Sequence, residues 1–338
     1  MTGKELIRRV IEFDRPERIG LDFPLIHKTD LQGAGAYRPV HPRPELAAWG
    51  RHPELVKLFP DFDGELMQNA NGDIYGRLNG KTKGECLKGG LENSLWENID
   101  SFEMPALDRS YFDEVETIAR HSDRFFLVSC NGFFAGAYNF RRLENYLMDI
   151  LLEKDKVLTL LDKLFCYYSE ILACWKGRGV DAVCFADDLG TQERMLLNPA
   201  LWREVFKPLY TAFAGQCHRQ DMKMLLHSCG WVYDIIGDLI EAGVDVFQFD
   251  QPQLAGTERL NREFGGRCTF WSPVDIQKIL VTGDRNKIEE EARLMLRTFG
   301  AHGGGLIAKD YPTLDDIGVR DEWAGWARHI FIEEGVYI

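Results

Sequence analysis

The chain has 338 residues, of which 45% are hydrophobic and 12% aromatic, enough to bury a large core. Its formal net charge of −13 argues against nucleic acid or an anionic membrane surface as the main partner. No apolar run reaches the roughly eighteen residues of a membrane span, and the opening segment is not an apolar signal. The eight cysteines form no C-x-x-C pair, which predicts reduced thiols in a cytoplasmic protein.

The first predicted element is an amphipathic helix in "MTGKELIRRVIEF". Thr2 and Glu5 have the spacing of a capping box, and four apolar residues between positions 6 and 11 share one face. A short strand in "RIGLDFP" follows this helix. The region from about residue 60 to residue 100 is rich in Gly and Asn, which predicts a hairpin-like excursion.

From about residue 110 the sequence alternates apolar runs with longer amphipathic stretches. Strands are predicted at 124–130, 180–186, 223–229, 244–249, 267–272 and 305–309. Helices are predicted at 141–178, 199–220, 231–242, 256–264, 274–280, 284–299 and 320–334. Continuous apolar strands that alternate with helices are typical of a parallel sheet buried on both faces.

This alternation predicts an α/β protein that folds as a TIM (β/α)8 barrel with an N-terminal helical extension. Six β/α units and the strand near the start give seven strands, so one strand is not placed. The expected organisation is a single domain over residues 1–338, with the insertion in 1–110 and the regular repeats in 111–338. The stretch "GAGAYR" at 33–38 follows no clear strand and lacks the third glycine of a dinucleotide fingerprint.

The predicted strand ends are unusually polar. In TIM barrels the active site lies at the C-terminal ends of the strands. The residues at these ends are Asn131, Asp187, Asp188, His227, Cys229, Gln248, Asp250, Trp271, Ser272, Lys309 and Asp310. If the barrel forms, these side chains converge on one candidate site.

His227 and Cys229 lie one residue apart at the end of a predicted strand, in "KMLLHSCG". Side chains two positions apart on a strand point to the same side. An imidazole nitrogen and a thiolate sulfur can therefore reach one metal ion. Zn²⁺ suits this ligand pair, and catalytic zinc sites leave one position open. The alternative is a buried structural cysteine beside a hydrogen-bonded histidine.

Asp187 and Asp188 are adjacent in "FADDLG", so a regular strand turns at most one of them to the barrel interior. Two interpretations of this pair are open. Either one aspartate binds substrate or metal, or both are helix N-terminal or loop carboxylates without such a role. For Asp250, in "FQFDQPQ", a loop cap competes with a role in the site.

In "HSCG" and "FADDLGTQERMLLNPALWREVFKP" the sequence resembles the uroporphyrinogen decarboxylase superfamily. It looks most like the corrinoid-dependent methyltransferase branch, which includes coenzyme M methyltransferases and O-demethylation enzymes. The resemblance runs from about residue 120 to the C-terminus and implies a TIM barrel. It also implies a zinc ion held by an H-x-C pair and a later cysteine. The zinc would hold the substrate thiolate, which attacks a methyl group on the cobalt of a corrinoid.

Two departures separate this chain from the family pattern. The segment after the last predicted strand, "GLIAKDYPTLDDIG", has no cysteine, and Asp310 is the nearest replacement for the third metal ligand. Cys268 lies at the start of its strand and hence at the wrong end of the barrel. The R-Q-A-G-R motif with which the true decarboxylases bind substrate carboxylates is absent, and this acidic chain shows no visible substitute.

The sequence therefore favours a zinc-dependent methyltransferase that moves a methyl group between a corrinoid protein and a small acceptor, a thiol or a folate. His227, Cys229 and Asp310 are the predicted metal ligands, and Asp187 and Asp188 the predicted catalytic carboxylates. The predicted substrate-binding residues are Asn131, Gln248, Asp250, Trp271 and Lys309. No D-x-H-x-x-G corrinoid motif occurs in the chain, so the methyl-corrinoid donor is expected on a separate protein.

Two alternatives stay open. One is a uroporphyrinogen decarboxylase-like lyase that acts on a carboxylated substrate, with Asp187 or Asp188 as the acid/base group. The other is a non-catalytic barrel that binds a corrinoid or another ligand for a partner enzyme, which the missing third cysteine favours. The oligomeric state is also open, although homodimers are common among such barrels.

Overall fold

The computed structural model describes residues 1–78, 84–92 and 96–337. The chain forms two compact units. One comprises Met1–Ala36, Val115–Cys130 and Trp175–Ile338, and the other comprises Tyr37–Glu114 and Asn131–Cys174. The expectation of a single domain over residues 1–338 stays a prediction.

Helices and strands alternate along most of the chain. The helices are α1 Gly3–Glu12, α2 Pro53–Leu58, α3 Arg109–Arg120, α4 Phe133–Tyr138, α5 Leu143–Leu152, α6 Lys154–Trp175, α7 Pro199–Val205, α8 Lys207–His218, α9 Ile236–Ala242, α10 Thr257–Phe264, α11 Arg285–Thr298 and α12 Asp321–Glu334. The strands are β1 Gly20–Phe23, β2 Lys28–Thr29, β3 Leu31–Gly35, β4 Glu65–Gln68, β5 Ile74–Arg77, β6 Glu85–Lys88, β7 Phe125–Asn131, β8 Ala182–Ala186, β9 Lys223–His227, β10 Val246–Gln248, β11 Thr269–Ser272 and β12 Leu306–Lys309.

Nine strands form one mostly parallel sheet in the order β2-β1-β12-β11-β10-β9-β8-β7-β3. The neighbours from β8 through β12 to β1 pair in parallel, β3 pairs in parallel with β7, and the short β2 is antiparallel to β1. The two edge strands, β2 and β3, are consecutive in the chain, so the sheet forms a nearly closed barrel. The predicted TIM-barrel fold is confirmed.

Strand β3 is the strand that the sequence left unplaced. Its sequence, "LQGAG", has no apolar run, because the residues after Leu31 are small or polar. A Cβ added at Gly33 would lie 3.1 Å from Leu127 Cδ1 on the neighbouring strand β7, closer than ordinary van der Waals contact. The close approach of the two strands therefore favours glycine at this position. Because glycine has no apolar side chain, the strand does not stand out as an apolar run in the sequence.

Helix α1 packs on the N-terminal end of the barrel. The predicted capping box is confirmed, since Thr2 Oγ1 accepts from Glu5 N at 3.2 Å and Glu5 Oε2 accepts from Thr2 N at 3.1 Å. Residues of α1 and inward-facing strand residues form one buried cluster. Its members are Ile7, Val10, Ile11, Leu31, Phe125, Leu127, Ala182, Cys184, Leu225, Val246 and Ile307. This apolar cluster closes one end of the barrel and leaves the opposite strand ends for chemistry.

Several predicted helices differ from the structure. The stretch 141–178 contains two helices, α5 and α6, and the stretch 199–220 contains α7 and α8, with Pro208 in the first turn of α8. The helix predicted at 274–280 is wrong, because residues 276–279 form turns. The buried carboxylate of Asp275 accepts from Gln277 N at 2.9 Å and Lys278 N at 2.7 Å, but the backbone after it forms turns and then the short 3-10 segment Leu280–Thr282.

The predicted excursion near residues 60–100 is a small antiparallel sheet in the second unit. Strand β5 pairs with β4 on one side and with β6 on the other. Leu66 and Ile74 from this sheet pack with Leu46 and Leu55 in a separate buried cluster. The hairpin-like prediction is confirmed for the described part of this region, and residues 79–83 and 93–95 lie outside it.

Two expectations from composition can be compared with the structure. All eight cysteines are free thiols. Within the described ranges, no helix combines the length and the apolar character needed to cross a bilayer.

Candidate metal centre

The strands that build the closed end of the barrel also carry the candidate metal ligands. On β9, Leu225 belongs to the interior cluster, and His227 and Cys229 follow it at two-residue steps. On the neighbouring β8, Cys184 belongs to the same cluster, and Asp188 follows at an even step. Because side chains alternate along a strand, the side chains of Asp188, His227 and Cys229 lie on the same side of the sheet.

Asp188, His227 and Cys229 form a compact group whose potential ligand atoms all lie within 4.8 Å of one another. His227 Nε2 lies 3.5 Å from Cys229 Sγ and 3.4 Å from Asp188 Oδ1. The backbone N–H of Cys229 donates to Asp188 Oδ1 at 2.8 Å and fixes that carboxylate next to the thiol. The side chain of Asp188 is 53% exposed, whereas that of His227 is 22% exposed, so the group opens to solvent on the Asp188 side.

Two of the three distances in this group match the separation of zinc ligands. Zinc binds nitrogen and oxygen at about 2.0–2.1 Å and sulfur at about 2.3 Å, and a tetrahedral arrangement then separates ligand atoms by about 3.3–3.6 Å. The two distances from His227 Nε2 fall in this range. Three protein ligands with one open position are also the usual composition of a catalytic zinc site. The donor set of nitrogen, sulfur and oxygen therefore suits Zn²⁺, with Asp188 as the third ligand.

Electrostatics couple the histidine to the carboxylate. Burial alone lowers the pKa of His227, but the hydrogen bonds and charges of Asp188 and Cys229 outweigh burial and raise it to about 10. Burial raises the pKa of Asp188, but its interactions with His227 and Cys229 lower it by more, so the pKa lies below its usual value. The acidic neighbours of His227 thus favour a positive charge between these groups, which a bound metal ion would also supply.

The structure separates the two adjacent aspartates that the sequence offered as catalytic residues. Asp188 lies in the candidate metal group, whereas Asp187 is fully buried and accepts a hydrogen bond from Tyr210 OH. The backbone N–H of Asp187 donates to His227 O at 2.9 Å, which continues the pairing of β8 with β9. Asp187 is therefore placed to hold α8 against the barrel, and Asp188 is placed at the site.

Three of the predicted substrate-binding residues form a buried polar chain behind His227. His227 Nδ1 is hydrogen-bonded to Gln248 Oε1, and Gln248 Nε2 donates to Asp250 Oδ1 at 2.7 Å. Lys309 Nζ donates to the same Asp250 oxygen at 2.9 Å. Trp271 is partly buried against the interior cluster, and Lys309 Nζ lies 5.8 Å from its ring centroid. His227, Gln248, Trp271 and Lys309 lie on the successive strands β9 to β12, and Asp250 lies two residues beyond the end of β10.

The remaining predicted site residues lie apart from the metal group. Asn131 is the last residue of β7 and is exposed. Asp310 follows β12 and is buried, with its Oδ1 3.5 Å from Arg328 Nε. Burial raises the pKa of Asp310 to about 6, although the charge of Arg328 opposes this shift. Among the described residues the metal group contains Asp188 and not Asp310, so the geometry favours a different third ligand from the one the sequence suggested.

Two titratable residues near the site were missed in the sequence. Asp22 on β1 lies beside Lys309 in the parallel register, accepts from Thr29 Oγ1 at 2.9 Å, and has its pKa raised by burial. Burial raises the pKa of Tyr311, and the charges of Asp250 and Cys229 raise it further. The sequence contained a signal for both residues, since Tyr311 lies two residues beyond the end of β12 and Asp22 lies one residue before the end of β1.

The comparisons with known proteins agree with this architecture. The family model described as Uroporphyrinogen decarboxylase (URO-D) matches residues 130–309, which is more than half of the chain. A solved methyltransferase from Methanosarcina mazei superposes with a TM-score of 0.64 at 13% sequence identity and covers 99% of both chains. At this identity the likeness shows the fold alone.

Two further solved structures match with lower TM-scores. A D-psicose 3-epimerase, solved in the presence of D-fructose, gives a TM-score of 0.40 at 8% identity and covers 70% of this chain and 85% of its own. A 2,3-dimethylmalate lyase gives a TM-score of 0.40 at 11% identity and covers 100% of this chain and 90% of its own. No curated protein matches the sequence at a significant level.

Proposed function

Because the chain belongs to the uroporphyrinogen decarboxylase (URO-D) family, we propose that it is a zinc-dependent methyltransferase of that family. It moves a methyl group between a separate corrinoid protein and a small acceptor, a thiol or a folate. The observation that carries this proposal is the group of Asp188, His227 and Cys229 at the C-terminal strand ends. The Methanosarcina mazei protein that shares this fold is a methyltransferase, which supports the same reaction class.

In this proposal the three residues would hold the ion through one nitrogen, one sulfur and one oxygen. A bound zinc ion acts as a Lewis acid that stabilises the acceptor as a nucleophilic anion at neutral pH. The protein's own part is positional. The Cys229 N–H holds the Asp188 carboxylate in place, and the bond from His227 Nδ1 to Gln248 fixes the imidazole ring. The partly exposed Asp188 marks the side from which acceptor and donor would enter.

Metal content is the first test. We expect about one zinc per chain in wild-type protein purified without chelators, and loss of that zinc in both His227→Ala and Cys229→Ala. His218→Ala and Cys166→Ala are the matched controls and should keep the zinc. His218 pairs with Asp245 ahead of β10, and Cys166 is an exposed thiol. Wild-type protein that binds no zinc, even after zinc is added, would contradict the proposed site.

The reaction is tested with methylcobalamin as the methyl donor and either 2-mercaptoethanol or tetrahydrofolate as the acceptor. We expect transfer to one acceptor class in the wild type and in both controls, and none in the two site variants. Methyl transfer that survives the loss of zinc in Cys229→Ala would overturn the mechanism. Turnover of uroporphyrinogen by the wild type would instead favour the lyase, and ligand binding without turnover would favour a non-catalytic barrel.

A further inference from the structure

A chain of buried polar side chains runs from His227 into the barrel interior. It passes from His227 to Gln248, then to Asp250, and ends at Lys309. Gln248 and Asp250 are each 6% exposed, and Lys309 is 7% exposed. Polar groups buried this deeply are costly unless each has a partner, so the direction of every hydrogen bond in the chain is constrained.

The donors and acceptors leave one consistent arrangement. A lysine ammonium can only donate, and the carboxylate of Asp250 that pairs with it can only accept. Gln248 must then offer its NH2 group to Asp250, which turns its carbonyl oxygen towards His227. A carbonyl oxygen accepts only, so His227 Nδ1 must carry a hydrogen.

This assignment decides which imidazole nitrogen is free to bind a metal ion. With a hydrogen held on Nδ1, the lone pair of the neutral ring lies on Nε2. Nε2 is the atom that lies 3.5 Å from Cys229 Sγ and 3.4 Å from Asp188 Oδ1. The buried chain thus presents the correct nitrogen to the metal group, although none of its other members belongs to that group.

We propose that Gln248, Asp250 and Lys309 are positioning residues that hold His227 in the tautomer and orientation required for metal binding. The inference deepens the proposed function and rests on its metal site. It also gives three residues predicted to bind substrate a different role. Partners of this kind typically change metal affinity by roughly 10- to 100-fold when they are removed.

The test measures zinc affinity by competition with a chromophoric chelator. Gln248→Met keeps the length of the side chain and removes the acceptor for His227 Nδ1. We expect zinc to bind roughly 10- to 100-fold more weakly in this variant. Gln253→Met is the matched control, because Gln253 also donates from a half-buried amide, but to Glu291 and Thr257. This control should leave the zinc affinity unchanged.

A charge exchange along the chain separates positioning from simple space filling. The double variant Gln248→Glu/Asp250→Asn places an acceptor next to His227 Nδ1 and an amide between that acceptor and Lys309. We expect it to recover most of the zinc affinity that Gln248→Met loses. A role in packing alone predicts no such recovery. Recovery no better than in the methionine variant would overturn the inference.

A measurement on the wild type avoids any dependence on the folding of variants. The ¹⁵N chemical shifts of labelled histidines in the zinc-loaded protein should show His227 with its hydrogen on Nδ1 and zinc on Nε2. Zinc on Nδ1, or wild-type affinity in folded Gln248→Met, would overturn this inference alone. Wild-type protein that binds no zinc would overturn the proposed function and this inference with it.

Discussion

The two ends of the barrel interior are built by the same strands but from opposite kinds of side chain. At the N-terminal end, Leu225 and Ile307 pack in an apolar cluster that α1 covers. Two residues further along the same strands and on the same face lie His227 and Lys309. The change from apolar to polar therefore occurs within one step of the strand pleat.

This difference separates stability from chemistry within one fold. The closed end buries apolar area without any polar partner to satisfy, so it contributes favourable free energy of folding. The open end instead buries Asp250, Lys309 and Asp310, whose desolvation must be offset by a small number of hydrogen bonds and ion pairs. We expect mutations at the closed end to change the free energy of unfolding, and mutations at the open end to change ligand binding.

The largest effect is expected from Ile7→Ala at the closed end. Ile7 of α1 is fully buried in the apolar cluster. Truncation of a buried isoleucine removes transfer free energy and leaves a cavity, so the free energy of unfolding should fall by about 2–5 kcal/mol. Urea denaturation of zinc-free protein measures this loss, and chelator competition should show an unchanged zinc affinity in the folded variant.

The matched control for this truncation is Ile118→Ala on α3, where the side chain is 51% exposed. It should change the free energy of unfolding by no more than about 0.5 kcal/mol. A weaker zinc affinity in Ile7→Ala would show that the closed end also shapes the site, and the separation of the two ends would then fail.

A second effect, on the order of 3 kcal/mol, concerns pH and Asp310. Burial raises the pKa of this carboxyl from its ordinary value of 3.8 to about 6. Between these values the folded protein holds a proton that the unfolded chain has released. Stability therefore falls as the pH rises from about 4 to about 6, by roughly 1.4 kcal/mol per pKa unit of difference.

Asp310→Asn should remove this contribution. Urea denaturation from pH 4 to pH 7 is expected to show that the wild type loses stability relative to the variant over this window. Asp315→Asn, at an exposed position, is the control and should follow the wild-type curve. Parallel curves for the wild type and Asp310→Asn would mean that this carboxyl does not carry an unfavourable buried charge at the open end.

The strands could be predicted from the sequence wherever both faces are buried. The predicted strand 223–229 contains β9, and 305–309 contains β12, because continuous apolar runs are the signature of a parallel sheet covered on both sides. Strand β3 could not be found in this way, since its residues after Leu31 are small or polar, and a Cβ at Gly33 would approach Leu127 on the neighbouring strand to 3.1 Å. The small residues of β3 are explained by its packing against β7, and this packing is not visible in the sequence alone.

The metal group could be predicted only in part. His227 and Cys229 belong to one strand, so their shared side follows from sequence spacing. The third ligand depends on which strand is the neighbour. In the barrel β8 pairs directly with β9, whereas β12 is separated from β9 by two strands. Adjacent β/α units usually form adjacent strands, so the chain order contained a signal for Asp188 that the family pattern obscured.

The smallest expected effects come from substitutions of the adjacent residues Asp187 and Asp188. These substitutions test, at two neighbouring positions, whether metal binding and stability depend on different side chains. Asp188→Asn removes the charge of the proposed third ligand and should weaken zinc binding by roughly tenfold or more, about 1.4 kcal/mol, with little change in the stability of the zinc-free protein. Asp187→Asn weakens the acceptor for the buried Tyr210 hydroxyl. It should lower the free energy of unfolding by about 1–2 kcal/mol and leave the zinc affinity unchanged.

Each aspartate variant thus serves as the control for the other, because the same substitution is made at neighbouring positions. Chelator competition gives the zinc affinity of each variant, and urea denaturation gives its free energy of unfolding. The larger loss of zinc affinity is expected in Asp188→Asn, and the larger loss of stability in Asp187→Asn. A loss of zinc affinity in Asp187→Asn equal to that in Asp188→Asn would contradict the assignment of the two faces. Zinc binding and stability would then not be divided between Asp188 and Asp187, the two residues that follow β8, although of these two described residues only Asp188 belongs to the group with His227 and Cys229.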